Sequence, residues 1–150
     1  MYSNRLKKIE YRYEYKQKDA AKILGISESM YSRYKKNKKT MPIKHLNTIC
    51  NYYNISIDYI FELTEKEKYS TSKPDINREL MANRLKEFRK ENKLTQIKLA
   101  QILNIANGTI GEYEKGTYLI STTCLYTICK KYNISADYLL GKIDEPKYLK

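Results

Sequence analysis

A chain of 150 residues with 29 Lys/Arg against 17 Asp/Glu, a formal net charge of +12, has room for one ordinary domain or two small ones and points to a polyanionic partner. No apolar run approaches the roughly 20 residues of a spanning helix, and Met1–Lys8 lacks the apolar core of a signal peptide, so a cytoplasmic protein without a membrane partner is expected. Cys50, Cys124 and Cys129 without C-x-x-C spacing, beside the single His45, argue against a disulfide framework or a metal site; buried thiols and no cofactor are expected.

The elements come in two matching sets. Shifting the chain by 79 residues lays Asn4-Arg5-Leu6-Lys7 on Asn83-Arg84-Leu85-Lys86 and Gln17 on Gln96. It also lays Leu46-x-Thr48-Ile49-Cys50 on Leu125-x-Thr127-Ile128-Cys129, and Tyr53-Asn54-Ile55-Ser56-x-Asp58-Tyr59 on Tyr132-Asn133-Ile134-Ser135-x-Asp137-Tyr138. Residues 4–63 and 83–142 share 21 identities in 60 positions without a gap, so one domain is present twice. The first copy, 1–63, is the divergent one and carries 13 basic against 6 acidic side chains; residues 77–141 carry 10 against 6. Residues 64–76 are polar, contain a proline and read as a flexible linker, with a typical span of about 20 Å. The second domain spans 77–142, and 143–150 reads as a basic tail. The 16 tyrosines read as a compositional bias rather than as a stacking surface.

Within each set the spacing predicts five short helices. Leu80, Leu85 and Phe88 share one face of a first helix in the second copy. Thr95 is a suitable N-cap for a second helix, whereas Lys16 at the matching place of the first copy is not. Gly25 and Asn104 suit the left-handed residue that ends this helix. A third helix follows at about 27–35 and 106–114. Ser27 caps it in the first copy, whereas Ala106 cannot, and Gly108 and Gly111 each cost about 1 kcal/mol relative to Ala. After the turns Lys36–Lys39 and Lys115–Tyr118 comes a fourth helix, with Pro42 in its first turn and Asn54 or Asn133 at its end. Ser56 and Ser135 cap a short fifth helix, with Asp58 and Asp137 near its positive end. Nothing alternates well enough for a strand, so the fold class is all-α.

Two short helices joined at a Gly or Asn inside a basic five-helix unit form a helix-turn-helix pattern. Leu94-Thr95-Gln96-Ile97-Lys98-Leu99-Ala100-Gln101-Ile102-Leu103 resembles the second helix of the Cro and phage-repressor (lambda-repressor-like) domain. Ile110-Gly111-Glu112-Tyr113-Glu114-Lys115-Gly116 resembles the end of its recognition helix, and Ser135-Ala136-Asp137-Tyr138-Leu139-Leu140-Gly141 its fifth helix. The resemblance covers most of 78–141 and reaches residues 4–63 mainly through the repeat. It implies two tandem domains that bind double-stranded DNA for transcriptional control, of the repressor type.

A helix fits the major groove, where base edges present a full donor and acceptor code. Carried over residue by residue, Gln17, Thr95 and Gln96 become contacts at the start of the second helix. Glu28, Ser29, Met30 and Arg33, and Asn107, Gly108, Thr109 and Glu112, become the groove-facing residues of the third. Arg33 suits a guanine and Asn107 an adenine. Lys36, Lys38, Lys39 and Lys115 are phosphate candidates. The family's pairing of a first-helix arginine with the glutamate ending the third helix implies Arg89 with Glu114. Glu10 and Lys35 occupy the same places with signs reversed, so an ion pair is expected in each copy. Tyr31 stands where the second copy has Ile110, either as a core residue or as a phosphate ligand. A homodimer is left open, with Ile60-Phe61 and Leu139-Leu140 able to pack within or between chains.

A protein-binding module, such as an antitoxin or a phage factor, would use the same fold to grip a protein. An enzyme is not expected: His45 has no neighbouring nucleophile pattern, and no P-loop or dinucleotide glycine motif occurs.

Overall fold

The computed structural model describes residues 1–149 and resolves into two compact units, Met1–Pro74 and a second that begins at Asp75. The first holds α1 (Ser3–Arg12), α2 (Gln17–Leu24), α3 (Glu28–Lys35), α4 (Ile43–Tyr52) and α5 (Ile57–Ile60). The second holds α6 (Arg78–Glu91), α7 (Gln96–Leu103), α8 (Asn107–Glu114), α9 (Thr122–Tyr132) and α10 (Ala136–Leu139). Among the described residues there are no strands beyond one isolated bridge, Ile134 with Tyr148, and no helix is long and apolar enough to cross a membrane.

Local chemistry accounts for the boundaries. Ser27, Thr95, Ser56 and Ser135 each accept the backbone N–H three residues on, at 2.9–3.0 Å. These bonds satisfy donors that the first turn leaves orphaned. Lys16 and Ala106 make no such bond. Gly25 (φ 68°) and Asn104 (φ 56°) terminate α2 and α7 in the left-handed conformation, and Asn54 and Asn133 repeat the device after α4 and α9. Gly141 (φ 75°) has a second reason to be glycine: a Cβ there would lie 2.8 Å from Asn77 Cβ.

Each unit packs the apolar faces of its helices into its own core. Leu6, Ile9, Tyr31, Leu46, Ile49 and Ile57 are buried in the first, and Leu85, Phe88, Ile110, Leu125 and Ile128 at matching places in the second. Ile60, Phe61, Leu139 and Leu140 are at most 1% exposed, so they belong to their own domains and are not a surface for a second chain. Cys50, Cys124 and Cys129 are buried and form no disulfide.

Of the flexible linker expected at 64–76, residues 64–74 instead form a strap bound to the first domain. The Arg5 guanidinium stacks on the Tyr59 ring and donates to the carbonyls of Tyr59 and Thr64 and to the Glu65 carboxylate. Arg12 pairs with Glu67 at 2.7 Å. Tyr69 is buried and donates to Asp58 at 2.8 Å, and the amides of Asn47 and Asn51 both donate to the Pro74 carbonyl. The span estimate for a flexible linker therefore does not apply.

The tail is docked as well. Arg84 repeats the role of Arg5, stacking on Tyr138 and donating to the carbonyls of Tyr138 and Ile143 and to Asp144. Lys147 pairs with Glu87 and Glu91, at 3.0 and 2.8 Å. The last residue of the expected tail, Lys150, lies outside the described residues. The polar composition that marks both segments as linker and tail also suits a strap, because apart from the buried Tyr69 and Ile143 its partners are charged side chains and backbone carbonyls.

Candidate nucleic-acid interface

In each copy the third helix is anchored from beneath by two residues three apart. Tyr31 and Tyr34 are buried under α3, and Ile110 and Tyr113 under α8. That period turns the opposite face outward. On α3, Glu28, Ser29 and Arg33 are exposed and Met30 is half-buried; Lys36, Lys38 and Lys39 follow, all exposed. On α8, Asn107 and Gly108 are exposed, Thr109 and Glu112 are half-buried, and Lys115 is exposed. Lys115 sits 3.6 Å from Glu112 one turn back, so the second copy neutralises part of the charge that the first leaves open.

The second helices supply their amino ends to the same face. Gln17 donates its amide to the Glu28 carbonyl at 3.2 Å, tying the start of α2 to the start of α3. Gln96 takes a different partner, donating to Glu114 Oε1 at 3.2 Å. Thr95 uses its hydroxyl on the Lys98 N–H at 3.0 Å, which gives it a structural task. Ile97, although apolar, is 55% exposed. Leu99 and Ala100 form the buried seam of α7, and Ile97 lies on the other side of the helix, next to Gln96.

The platforms beneath are held by the two expected ion pairs. Arg89 grips Glu114 with two parallel bonds, Nε to Oε2 at 2.6 Å and Nη2 to Oε1 at 3.0 Å, and its Nη1 donates to the Leu94 carbonyl at 2.9 Å. In the first copy Lys35 Nζ meets Glu10 Oε1 at 2.6 Å. Glu10 Oε2 accepts the hydroxyls of Tyr31 at 2.5 Å and Tyr53 at 2.6 Å. The two alternatives for Tyr31 are thereby decided: it is a core residue bound to Glu10. Burial and the adjacent Glu10 carboxylate push both phenols well above their ordinary value.

The paired roles of Arg5 and Arg84 were not apparent from residue type or spacing. Their identity across the repeat was the available signal, but their partners at 64–65 and 143–144 lie past the region that aligns. His45, set aside as a catalyst, is half-exposed on α4 with its ring edge-on to Tyr34. Among the described residues no cluster of three or more His, Cys, Asp or Glu side chains is arranged to hold a metal ion.

Comparison with known families agrees with this geometry. Residues 5–66 match the Cro/C1-type HTH DNA-binding domain, and residues 82–145 match a helix-turn-helix domain model. The chain carries two Cro/C1-type helix-turn-helix domains in tandem. It is 39% identical over 67 residues to the HTH-type transcriptional regulator ImmR of Bacillus subtilis, covering 45% of this chain and 53% of that protein. It is 34% identical over 67 residues to the uncharacterized HTH-type transcriptional regulator YobD of the same organism, covering 45% and 60%. It is 33% identical over 63 residues to the antitoxin PezA of Streptococcus pneumoniae, covering 42% and 40%. The matched segment thus spans about half the length of these relatives. No solved structure gives a significant match.

Proposed function

We propose that this chain is a sequence-specific double-stranded DNA-binding transcriptional regulator that presents α3 and α8 to the major groove. The observation that carries the reading is the outward face of α3, where Arg33 stands exposed and Lys36, Lys38 and Lys39 follow it directly. A fork-shaped guanidinium beside a run of ammonium groups suits a guanine edge flanked by phosphates. In the second copy Asn107, Gly108, Thr109 and Glu112 form the reading face, with Lys115 beside them, and Gln17 and Gln96 support the two helices from their neighbours. Because Arg33 and Glu112 occupy the same place in the repeat with opposite charge, the two domains read different sequences and the site is asymmetric.

The test is selection from random DNA fragments across a salt series, with wild type and an Arg33→Ala, Asn107→Ala double variant. Wild type enriches a defined site and loses affinity steeply with salt; the variant keeps the salt dependence and loses the site. Binding without enrichment would refute sequence-specific reading. The partial match to a protein named as an antitoxin favours a second reading, in which one domain grips a protein; absence of DNA binding even at low salt would turn to it.

A further inference from the structure

The two domains are close enough in sequence for their first helices to be confused. α1 and α6 share Asn-Arg-Leu-Lys, and Leu6 and Leu85 enter equivalent cores. Arg5 and Arg84 make the same bonds to equivalent carbonyls, Tyr59 and Thr64 in one domain, Tyr138 and Ile143 in the other. The shared arginine and leucine, with the backbone carbonyls they meet, would fit either domain. Linkage in one chain also keeps the wrong domain at high effective concentration while each folds.

Buried residues differ in size at two places, Ile9 against Phe88 and Tyr2 against Met81, but the charges differ by inversion. Positions 8, 10, 12 and 14 read Lys, Glu, Arg, Glu; positions 87, 89, 91 and 93 read Glu, Arg, Glu, Lys. The partners invert with them. Glu10 meets Lys35 where Arg89 meets Glu114, and Arg12 meets Glu67 where Glu91 meets Lys147. The second inversion was invisible in an ungapped comparison, because Glu67 and Lys147 are 80 residues apart rather than 79. Docking α1 on the second domain would set Glu10 against Glu114, two carboxylates whose side chains are 6% and 4% exposed in their own domains, and Arg12 against Lys147. Docking α6 on the first would set Arg89 against Lys35 and Glu91 against Glu67. Each of the four contacts turns from attraction to repulsion, two of them away from water where like charge costs most.

We infer that these inverted pairs form a pairing code by which each domain accepts only its own first helix, so that the tandem repeat folds without exchanging helices between unlike domains. The inference is independent of what the domains bind. It is tested in the full chain by three variants. One gives the first domain the signs of the second (Glu10→Arg, Arg12→Glu, Lys35→Glu, Glu67→Lys). Its mirror gives the second domain the signs of the first (Arg89→Glu, Glu91→Arg, Glu114→Lys, Lys147→Glu). The third, the eight-fold variant, carries all eight charge changes, with Tyr31→Ile and Ile110→Tyr moving the phenol along with its carboxylate, and so restores the inversion.

After dilution from denaturant, size-exclusion chromatography with light scattering reports helix exchange as species larger than the native protein. Both four-fold variants are expected to raise that fraction with protein concentration, on the order of tenfold over wild type. The eight-fold variant is expected to refold as cleanly as wild type. Clean refolding of the four-fold variants would overturn the code. So would equal misassembly or failure to fold in the eight-fold variant, because disturbance of the sites rather than their sign would then be responsible.

Discussion

The two copies solve one problem, fastening the first helix to the third, with opposite chemistry, and the difference lies in the shape of the cation. Arginine offers a planar fork, so Arg89 satisfies both oxygens of Glu114 and still reaches the Leu94 carbonyl. Lysine offers a compact point charge, so Lys35 bonds one oxygen of Glu10 and the other must be satisfied elsewhere. Two tyrosines do that, and one of them, Tyr31, stands where the second copy has Ile110. Inverting an ion pair therefore recruits a third position. The comparison teaches that Tyr31, Glu10 and Lys35 are one unit, although they are 21 and 4 residues apart in the chain.

The largest expected effect breaks this unit on each side. Arg89→Ala leaves Glu114 buried with only the Gln96 amide beside it and is expected to destabilise the second domain by about 3–5 kcal/mol. Lys35→Ala leaves Glu10 with both phenolic bonds and is expected to cost less, about 1–3 kcal/mol in the first domain. Urea unfolding of the full chain, fitted as two transitions, measures both. Equal losses would show that the tyrosines do not share the burden of the missing cation.

What the sequence made legible followed local rules. The left-handed Gly25 and Asn104, the caps at Ser27, Thr95, Ser56 and Ser135, and the ten helices could all be read from residue type and spacing. Both ion pairs were legible because the family resemblance names the two positions and the repeat carries them across. The straps were not, since their bonds run from charged side chains to backbone carbonyls nearly 60 residues away and leave no apolar period. Asp58 reads as a helix-end charge, yet it is fully buried and accepts the Tyr69 hydroxyl. Tyr69 in turn was hidden in a segment whose composition resembles a linker. The bias toward tyrosine masked the few that do specific work, because composition cannot distinguish the buried Tyr31 from Tyr11, which is 88% exposed. Of the candidate interface, residue type singled out the outward faces of α3 and α8, but the bond of Gln96 to Glu114 depends on which neighbour lies within reach, which only the fold determines.

A smaller effect sharpens the comparison through pH. Unfolded tyrosine releases its proton near pH 10, whereas Tyr31 and Tyr53 hold theirs to higher pH, through burial first and the Glu10 carboxylate second. Above about pH 10 the unfolded first domain therefore binds fewer protons than the folded one, and stability falls by up to about 1.4 kcal/mol per pH unit for each tyrosine. Below pH 10 this contribution is fully present. Unfolding measured from about pH 9 to 11.5 is expected to show the first domain losing stability with a steeper slope than its Tyr31→Phe, Tyr53→Phe variant. Matching slopes would mean that other groups control the alkaline transition.

The smallest effects concern the caps, where the copies are again complementary. The first copy caps α3 with Ser27 and leaves α2 uncapped at Lys16; the second caps α7 with Thr95 and leaves α8 uncapped at Ala106. Each helix-turn-helix thus lacks the cap that the other has. The backbone at Lys16 and Ala106 already holds the extended conformation of a cap residue (ψ 136° and 143°), so a hydroxyl there needs no rearrangement. Lys16→Thr and Ala106→Ser are each expected to stabilise their own domain by about 1 kcal/mol, and Ser27→Ala to cost about the same. The two gains should add, because they fall in different compact units. Thermal unfolding of the singles and the double decides it. If Ala106→Ser gives nothing while Lys16→Thr gives its full amount, the orphan donors at the start of α8 are already satisfied by another route, and the glycines at 108 and 111 rather than the missing cap limit that helix.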